Sequence, residues 1–338
     1  MKAFWLGIYL LVIPFRTALA FLPTSPSMRR LRHRWVFYAA DSASAQEEDA
    51  RLSLEKTILT RYACKQFKRF TAPDDETVVS ASDPDPTVVQ KALHCLDLAR
   101  MAPSSFNSQP YKLILVHSAA QKLALSRYCL GANAARVRDS DCTALFLADR
   151  QVVRTLPRLA RWMQGKREER NAQLGVVEDE AAIRQSKSFI RTMFLYLTIF
   201  SSGFPLPRVL AAPIAFLFRV AMGIMAWFSR SFYQLPSLAS AETWSSKQAL
   251  MVAMVYMLGC SSHGLATIPM EGIDAPGIRK VLKIPSRYAV PLIVATGVAA
   301  KTPSNYFLER GLDRRFPRND VIYDDIFGSD QHFRAFEA

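Results

Sequence analysis

The sequence lacks the residue spacings that mark common metal and thiol sites. Its five cysteines are odd in number, stand far apart and form no CxxC pair, so neither a disulfide framework nor a zinc site is predicted. The five histidines form no HExxH or HxH pattern, so we expect no protein-bound metal. No Ser/His/Asp or Cys/His constellation indicates a catalytic side chain. The cysteines are therefore interpreted as reduced, mostly buried thiols.

Acidic residues are absent from residues 1–40, and this absence changes how the formal net charge of +14 is interpreted. The cations of this stretch are Lys2, Arg16, Arg29, Arg30, Arg32 and Arg34. Without the stretch the positive excess is milder and suits an anionic cofactor or a membrane surface. The basic residues have no interleaved aromatics and no recognition motif is present, so a nucleic-acid partner is not expected.

The N-terminus has the layout of a two-part targeting segment. Lys2, the apolar run Phe4–Phe15 and a small-residue cleavage pattern predict a signal peptide over residues 1–20. Residues 21–47 are interpreted as a transit peptide and linker, and residues 48–338 as the mature domain. The tandem resembles the bipartite presequence of plastid proteins that travel by the secretory route. The alternative is secretion or an endomembrane lumen, against which the free thiols argue.

Hydrophobic periodicity predicts helices that interleave with strands. The predicted helices cover residues 52–60, 88–100, 120–128 and 241–263, and the predicted strands cover Lys112–His117, Thr143–Ala148 and Leu292–Thr296. These elements show no regular βαβ rhythm. The pattern therefore favours an α+β fold over a doubly wound sheet.

An insert at about residues 150–240 changes the composition twice, from charged to apolar. Its apolar part, Phe189–Phe232, falls into the pieces Phe189–Phe204 and Val209–Phe228. Only the second piece has the length of a membrane span, and Arg219 within it makes insertion costly. We expect a buried or interfacial helical pair.

Two short segments before residue 112 contain polar or charged side chains that could bind a ligand. Arg61 and Lys65 could point at one anion, although a solvated basic helix end is the alternative. Residues 102–111 hold prolines near both ends and many neutral donors and acceptors between them. Such a loop suits a flat heterocycle edged with carbonyls and ring nitrogens, although an ordinary polar turn remains the alternative.

Two further segments lie towards the C-terminus. Gly264 is placed to cap the long helix, and Pro269 and Gly272 are predicted to bracket a tight turn where a ligand can approach the main chain. Asp313–Arg318 adds cations that could complete an anion site, with a solvated basic tail as the alternative.

In this order the four segments resemble the flavin-binding elements of the nitroreductase family. The pattern Pro-Ser-Ser-x-Asn-x-Gln-Pro stands at residues 103–110, and Gly-Leu followed by Pro-x-Glu-Gly stands at residues 264–272. The resemblance covers most of residues 52–328 apart from the insert. It implies a nitroreductase-like fold with a central mixed or antiparallel sheet flanked by helices, an FMN cofactor and a homodimer.

The resemblance also implies a set of cofactor-binding residues. Arg61, Lys65 and Arg315 would hold the FMN phosphate and ribityl end, and Asn133 would meet the isoalloxazine edge. Four residues would reach the flavin from the second subunit: Pro103, Ser104, Ser105 and Asn107. Four others would face the ring near N5: Pro269, Met270, Glu271 and Gly272. Ala63 stands where a phosphate-binding Ser is common, which weakens the phosphate assignment.

The implied activity is that of an FMN-dependent oxidoreductase. Hydride would pass from NADH or NADPH through flavin N5 to an oxidised small-molecule acceptor such as a nitroaromatic or a quinone. The insert would then either roof the flavin or make peripheral membrane contact. The alternative function is a membrane-associated, non-catalytic flavoprotein or scaffold that uses residues 189–232.

Overall fold

The computed structural model describes residues 54–68, 81, 83–177, 180–199 and 240–301, with isolated positions between 210 and 224 and between 316 and 323. The predicted signal and transit peptides, Arg315 and most of Val209–Phe228 lie outside the described residues. The chain divides into two compact units, Met1–Lys56 and Thr57–Ala338. All the strands and the helices from Pro86 onward belong to the second unit.

Among the described residues from Pro86 onward, seven helices and four strands are present. The helices are α1 (Pro86–Ala99), α2 (Ala119–Ser126), α3 (Asn133–Asp139), α4 (Leu156–Leu174), α5 (Glu180–Ile199), α6 (Ala241–Ser262) and α7 (Ala275–Val281). The strands are β1 (Tyr111–Val116), β2 (Cys142–Asp149), β3 (Ala266–Met270) and β4 (Tyr288–Gly297). Residues 54–60 are also helical, and short 3-10 turns cover Ser105–Asn107 and Val152–Thr155.

The four strands form one antiparallel sheet in the order β1-β2-β4-β3. Every residue of β2 is buried, and β4 is buried except at Pro291. Such continuous burial marks strands that are covered on both faces, which explains their unbroken apolar sequences. The predicted α+β fold and antiparallel sheet are confirmed.

Strand β3 was not predicted, because Pro269 lies inside it. Pro269 pairs with Val294 of β4, so the tight turn predicted between Pro269 and Gly272 begins only after Met270. A proline has no N–H to donate to a neighbouring strand, but an edge strand tolerates that loss. The predicted C-cap at Gly264 is confirmed, since this residue has a φ of 73°.

Helices α1 and α6 pack together over one face of the sheet and form a buried cluster with β2 and β4. The largest fully buried side chain is Tyr256 of α6, whose ring centroid lies 5.7 Å from that of Phe146. Its hydroxyl lies 2.9 Å from Thr296 Oγ1, so two buried polar groups satisfy each other. Burial raises the pKa of Tyr256 well above its usual value.

The five cysteines are all buried and unpaired, which confirms their interpretation as buried thiols. Burial raises the pKa of Cys129 to about 11. Among the helices that the structure describes, none combines the length and apolar character needed to cross a membrane.

The Tyr256 hydroxyl should contribute measurably to stability. We expect Tyr256→Phe to lower the free energy of unfolding by about 1–2 kcal/mol in urea, because the Thr296 hydroxyl then stays buried without this partner. In the Tyr256→Phe variant, adding Thr296→Val should lower the free energy of unfolding clearly less than Thr296→Val does in the wild-type protein. Fully additive effects of the two substitutions would show that the two hydroxyls do not interact.

Candidate functional site

The loop that joins α1 to β1 is held in a strained conformation. Phe106, Asn107 and Gln109 have φ values of 56°, 52° and 45°. These values lie in the left-handed region, which costs about 1–3 kcal/mol for each residue other than glycine. Such strain persists only where surrounding contacts fix the backbone.

Hydrogen bonds fix this loop from within and from α6. The Ser104 hydroxyl accepts from Gln109 N–H at 3.1 Å. The N–H of Ser105 donates to the side-chain oxygen of Gln248 at 3.0 Å. Gln248 was not predicted as a site residue, although a buried glutamine amid the apolar residues of a long helix is an unusual sequence feature. We identify Gln248 as the residue that positions the loop on α6.

Phe106 joins the same loop to the insert. Its ring centroid lies 5.1 Å from that of Tyr196 and 6.2 Å from that of Phe189, both on α5. The sequence did not single out Phe106, because it occupies a variable position of the loop motif. The insert therefore packs directly against the predicted flavin loop.

Helix α5 packs by one face only. Met193 and Leu197 are fully buried against Val152, Val153 and Leu156, whereas Arg191 is exposed. The helix also begins at Glu180, well before the apolar piece. Among the described residues from Phe189 onward the exposed polar side chain is Arg191, and the other exposed polar side chains of the helix lie before Phe189.

Asn133 lies beside the segment that follows β3. Its side-chain Nδ2 donates to the carbonyl of Gly272 at 3.1 Å, and its Oδ1 accepts from Arg136 at 2.6 Å. A Cβ at Gly272 would sit 3.0 Å from Asn133 Nδ2, so a larger residue there would require the Asn133 side chain to shift. The main-chain N–H groups of Glu271 and Gly272 donate to no acceptor among the described residues.

Arg61 and Lys65 lie on an extended segment that runs beside β3. Ala63 forms a parallel bridge with Thr267, and Cys64 N–H donates to the Thr267 carbonyl at 3.0 Å. Cys64 is buried, while Arg61 is half-buried and Lys65 is exposed. The two cations thus lie on the chain adjacent to the strand that carries Pro269 and Met270.

The structure therefore brings three of the predicted groups to one strand and its end, and leaves the fourth apart. The Arg61–Lys65 segment and Asn133 both contact β3 or the residues directly after it, where Pro269–Gly272 lie. The Pro103–Asn107 loop instead contacts α5 and α6, and no hydrogen bond among the described residues joins it to Asn133 or Gly272.

The groups beside β3 and directly after it fit an anionic ligand with several hydrogen-bond acceptors. Arg61 and Lys65 supply positive charge, and the N–H groups of Glu271 and Gly272 are available as donors. Arg136 Nε is buried and has no hydrogen-bond partner in the described part of the chain. An unsatisfied buried donor of this kind calls for an acceptor that a ligand can provide.

A family model described as the nitroreductase family matches residues 58–298. The match covers most of the chain and includes every predicted site residue except Arg315. The chain belongs to the nitroreductase family.

Solved structures show the same fold. A protein assigned as an NAD(P)H:FMN oxidoreductase from Staphylococcus epidermidis is 19% identical, with 80% of this chain and 95% of that chain covered and a TM-score of 0.52. A protein assigned as a nitroreductase from Exiguobacterium sibiricum, solved in complex with FMN, is 16% identical, with 80% and 96% covered and a TM-score of 0.50. These likenesses confirm the predicted nitroreductase-like fold.

A curated relative matches a shorter stretch. An NADH dehydrogenase of Thermus thermophilus is 33% identical over 60 residues, which cover 18% of this chain and 29% of that protein. The chain thus matches less than a third of the length of this relative.

The Gln248 contact should hold the strained loop in place. We expect Gln248→Met to speed hydrogen exchange at the Ser105 amide and to lower the free energy of unfolding by about 1 kcal/mol, because Ser105 N–H loses its acceptor. Lys247→Met is the matched control, since Lys247 is the exposed neighbour on the same helix. Equal exchange rates at Ser105 in the two variants would contradict this role of Gln248.

Proposed function

We propose that this protein is an FMN-dependent oxidoreductase that takes electrons from NADH or NADPH and passes them to an oxidised small molecule such as a nitroaromatic or a quinone. The observation that carries the proposal is the hydrogen bond between Asn133 and Gly272 beside the available N–H groups of Glu271 and Gly272, with the segment that carries Arg61 and Lys65 paired to the same strand, β3, at Thr267. Membership of the nitroreductase family supports it. When bound, FMN supplies the hydride-transfer chemistry.

The chain's own residues bind and orient the cofactor in this proposal. Arg61 and Lys65 would form charge-assisted hydrogen bonds with the phosphate, and Arg315 would join them. Asn133 would present its amide to the polar edge of the ring. Pro269 and Met270 would shape the wall beside the ring, while Glu271 and Gly272 would donate main-chain hydrogen bonds.

The names of similar proteins support the choice of cofactor and electron donor. The Exiguobacterium protein was solved with FMN, and the Staphylococcus protein is assigned as acting on NAD(P)H and FMN. The Thermus relative is named an NADH dehydrogenase.

We also propose that the protein is a homodimer. Leu250, Met251 and Met254 are exposed on one face of α6, although the opposite face is buried against the sheet. An exposed apolar face on a central helix is typical of a protein interface. A second copy is its proposed occupant, because the Pro103–Asn107 loop does not join the Asn133 group within one chain. The loop of each subunit would then complete the flavin site of the other.

For the insert we propose a roof over this site. The packing of Phe106 against Phe189 and Tyr196 supports that role, because α5 then contacts the loop that the family resemblance assigns to the flavin. Peripheral membrane contact remains a second prediction for residues 189–232. Plastid delivery by the bipartite presequence also stays a prediction.

The first test is the absorption spectrum of the purified mature chain, residues 48–338. We expect a flavin spectrum with about one FMN per chain, bleached by NADH or NADPH and restored by a quinone or nitroaromatic acceptor. A protein that stays colourless after incubation with FMN and desalting would contradict the proposal. A stably bound flavin that neither nicotinamide reduces would instead favour the non-catalytic alternative.

A charge-reversal variant locates the phosphate site in the same experiment. Arg61→Glu with Lys65→Glu should weaken FMN retention at least tenfold, because charge-assisted hydrogen bonds are worth roughly 1.5–3 kcal/mol each. Lys112→Glu with Arg127→Glu makes the same change in net charge at exposed positions of β1 and the end of α2. Equal FMN retention in the two variants would place the phosphate elsewhere.

The dimer is tested by one substitution on the exposed face of α6. We expect Met254→Glu to shift the protein towards a monomer in sedimentation and to reduce bound flavin, because a buried charge opposes association and the partner's loop is lost. Leu174→Glu is the control, since Leu174 is an exposed apolar residue at the end of α4. A wild-type monomer that retains flavin and activity would refute the dimer.

A further inference from the structure

A cavity of about 450 Å³ lies between α4 and α5, beside the loop that joins α1 to β1. Its lining includes Asn107, Trp162, Lys166, Arg167, Arg170 and Phe189. An adjoining cavity of about 620 Å³ shares Arg167, Arg170 and Phe189 with it. Volumes of this size suit a small organic molecule.

Two aromatic side chains of this cavity are open to solvent. Trp162 is 50% exposed and Phe189 is 47% exposed, although both are large apolar groups. Phe189 is also held against Phe106, so its position is fixed from the loop side. A flat ring stacked on these side chains would bury apolar surface that now faces water.

The cationic side chains of the cavity all come from one stretch of α4. Lys166 pairs with Glu169 at 2.6 Å, and Arg167 donates to the Ala182 carbonyl of α5 at 3.0 Å. Arg170 has no carboxylate partner in the described part of the chain. No acidic residue is among the described residues that line either cavity.

We propose that this cavity binds a flat aromatic anion, such as an aromatic carboxylate, with its ring on Trp162 and Phe189 and its anionic group on Arg170. Guanidinium groups bind planar carboxylates through paired, charge-assisted hydrogen bonds. An uncharged ring would stack on the same side chains and would not form the charge-assisted hydrogen bonds with Arg170.

Such an anion is also the electron acceptor that the cavity would select, and this second statement rests on the proposed function. Asn107 lines the cavity and belongs to the loop that the family resemblance places against the flavin. In the proposed dimer, a molecule held by Trp162 and Arg170 would therefore lie next to the flavin site of the partner subunit, which this loop completes. The acceptor class is thus narrowed from nitroaromatics and quinones in general to those that carry an acidic group.

The binding test compares 4-nitrobenzoate with its neutral methyl ester on the flavin-loaded chain by titration calorimetry, without nicotinamide. We expect the anion to bind about tenfold more tightly than the ester, and Arg170→Gln to remove that preference. Arg161→Gln is the matched control, because Arg161 is an exposed arginine of α4 that does not line the cavity. Equal affinities for the anion and the ester would overturn the proposal, as would an unchanged anion affinity in Arg170→Gln.

Steady-state kinetics separates this inference from the proposed function. We expect Arg170→Gln to raise the KM for 4-nitrobenzoate about tenfold and to leave its kcat and the KM for the ester unchanged. Turnover of both compounds with equal kcat/KM would overturn the anion site and leave the oxidoreductase assignment standing. Anion-selective binding without any turnover would support the site and count against the oxidoreductase assignment.

Discussion

Burial of α6 against β2 and β4 is the constraint on which the remaining structure depends. Tyr256 fixes the depth of the helix through its contact with Thr296, and the helix then presents Gln248 to the loop that precedes β1. Nearer its start, Glu242 forms an ion pair with Arg150 at 2.8 Å, where the insert leaves the sheet. One apolar helix therefore positions the core, the loop that precedes β1 and the start of the insert. It can do so because the helix is apolar around most of its circumference and needs covering on both sides.

The sequence predicted the elements whose hydrophobic pattern is long or continuous. Helices α1 and α6 and strands β1 and β2 follow their predicted positions to within two residues at each end, since burial of their apolar residues decides their conformation. Strand β4 was predicted as Leu292–Thr296 and begins four residues earlier, at Tyr288. Strand β3 was not predicted because Pro269 is typical of turns. The strand tolerates this proline because it lies at the edge of the sheet. The start of α5 was also missed, because Glu180–Lys187 is too polar to continue the apolar pattern.

The candidate site was predictable in its motifs and not in its contacts. The polar residues at 103–110 and 264–272 were identified from their types and order. The hydrogen bond between Asn133 and Gly272 joins residues 139 positions apart, and only the fold can bring them together. Gln248 and Phe106 were missed for a related reason. Their side chains act on the flavin loop from a helix or from within the loop, and neither residue type is specific to a ligand.

The strained loop connects the core of the protein to its insert. Its three left-handed residues keep their conformation because Gln248 holds the backbone on one side and Phe189 and Tyr196 hold Phe106 on the other. Neither support belongs to the loop itself. The insert therefore contributes to the stability of the fold itself, since contacts with α5 help to maintain the loop conformation. It follows that changes in the insert would alter the position of Asn107 and its neighbours, even where they touch no ligand. An insert of different packing would change both the cavity between α4 and α5 and the loop that precedes β1, because Phe189 lines the cavity and contacts Phe106 of the loop.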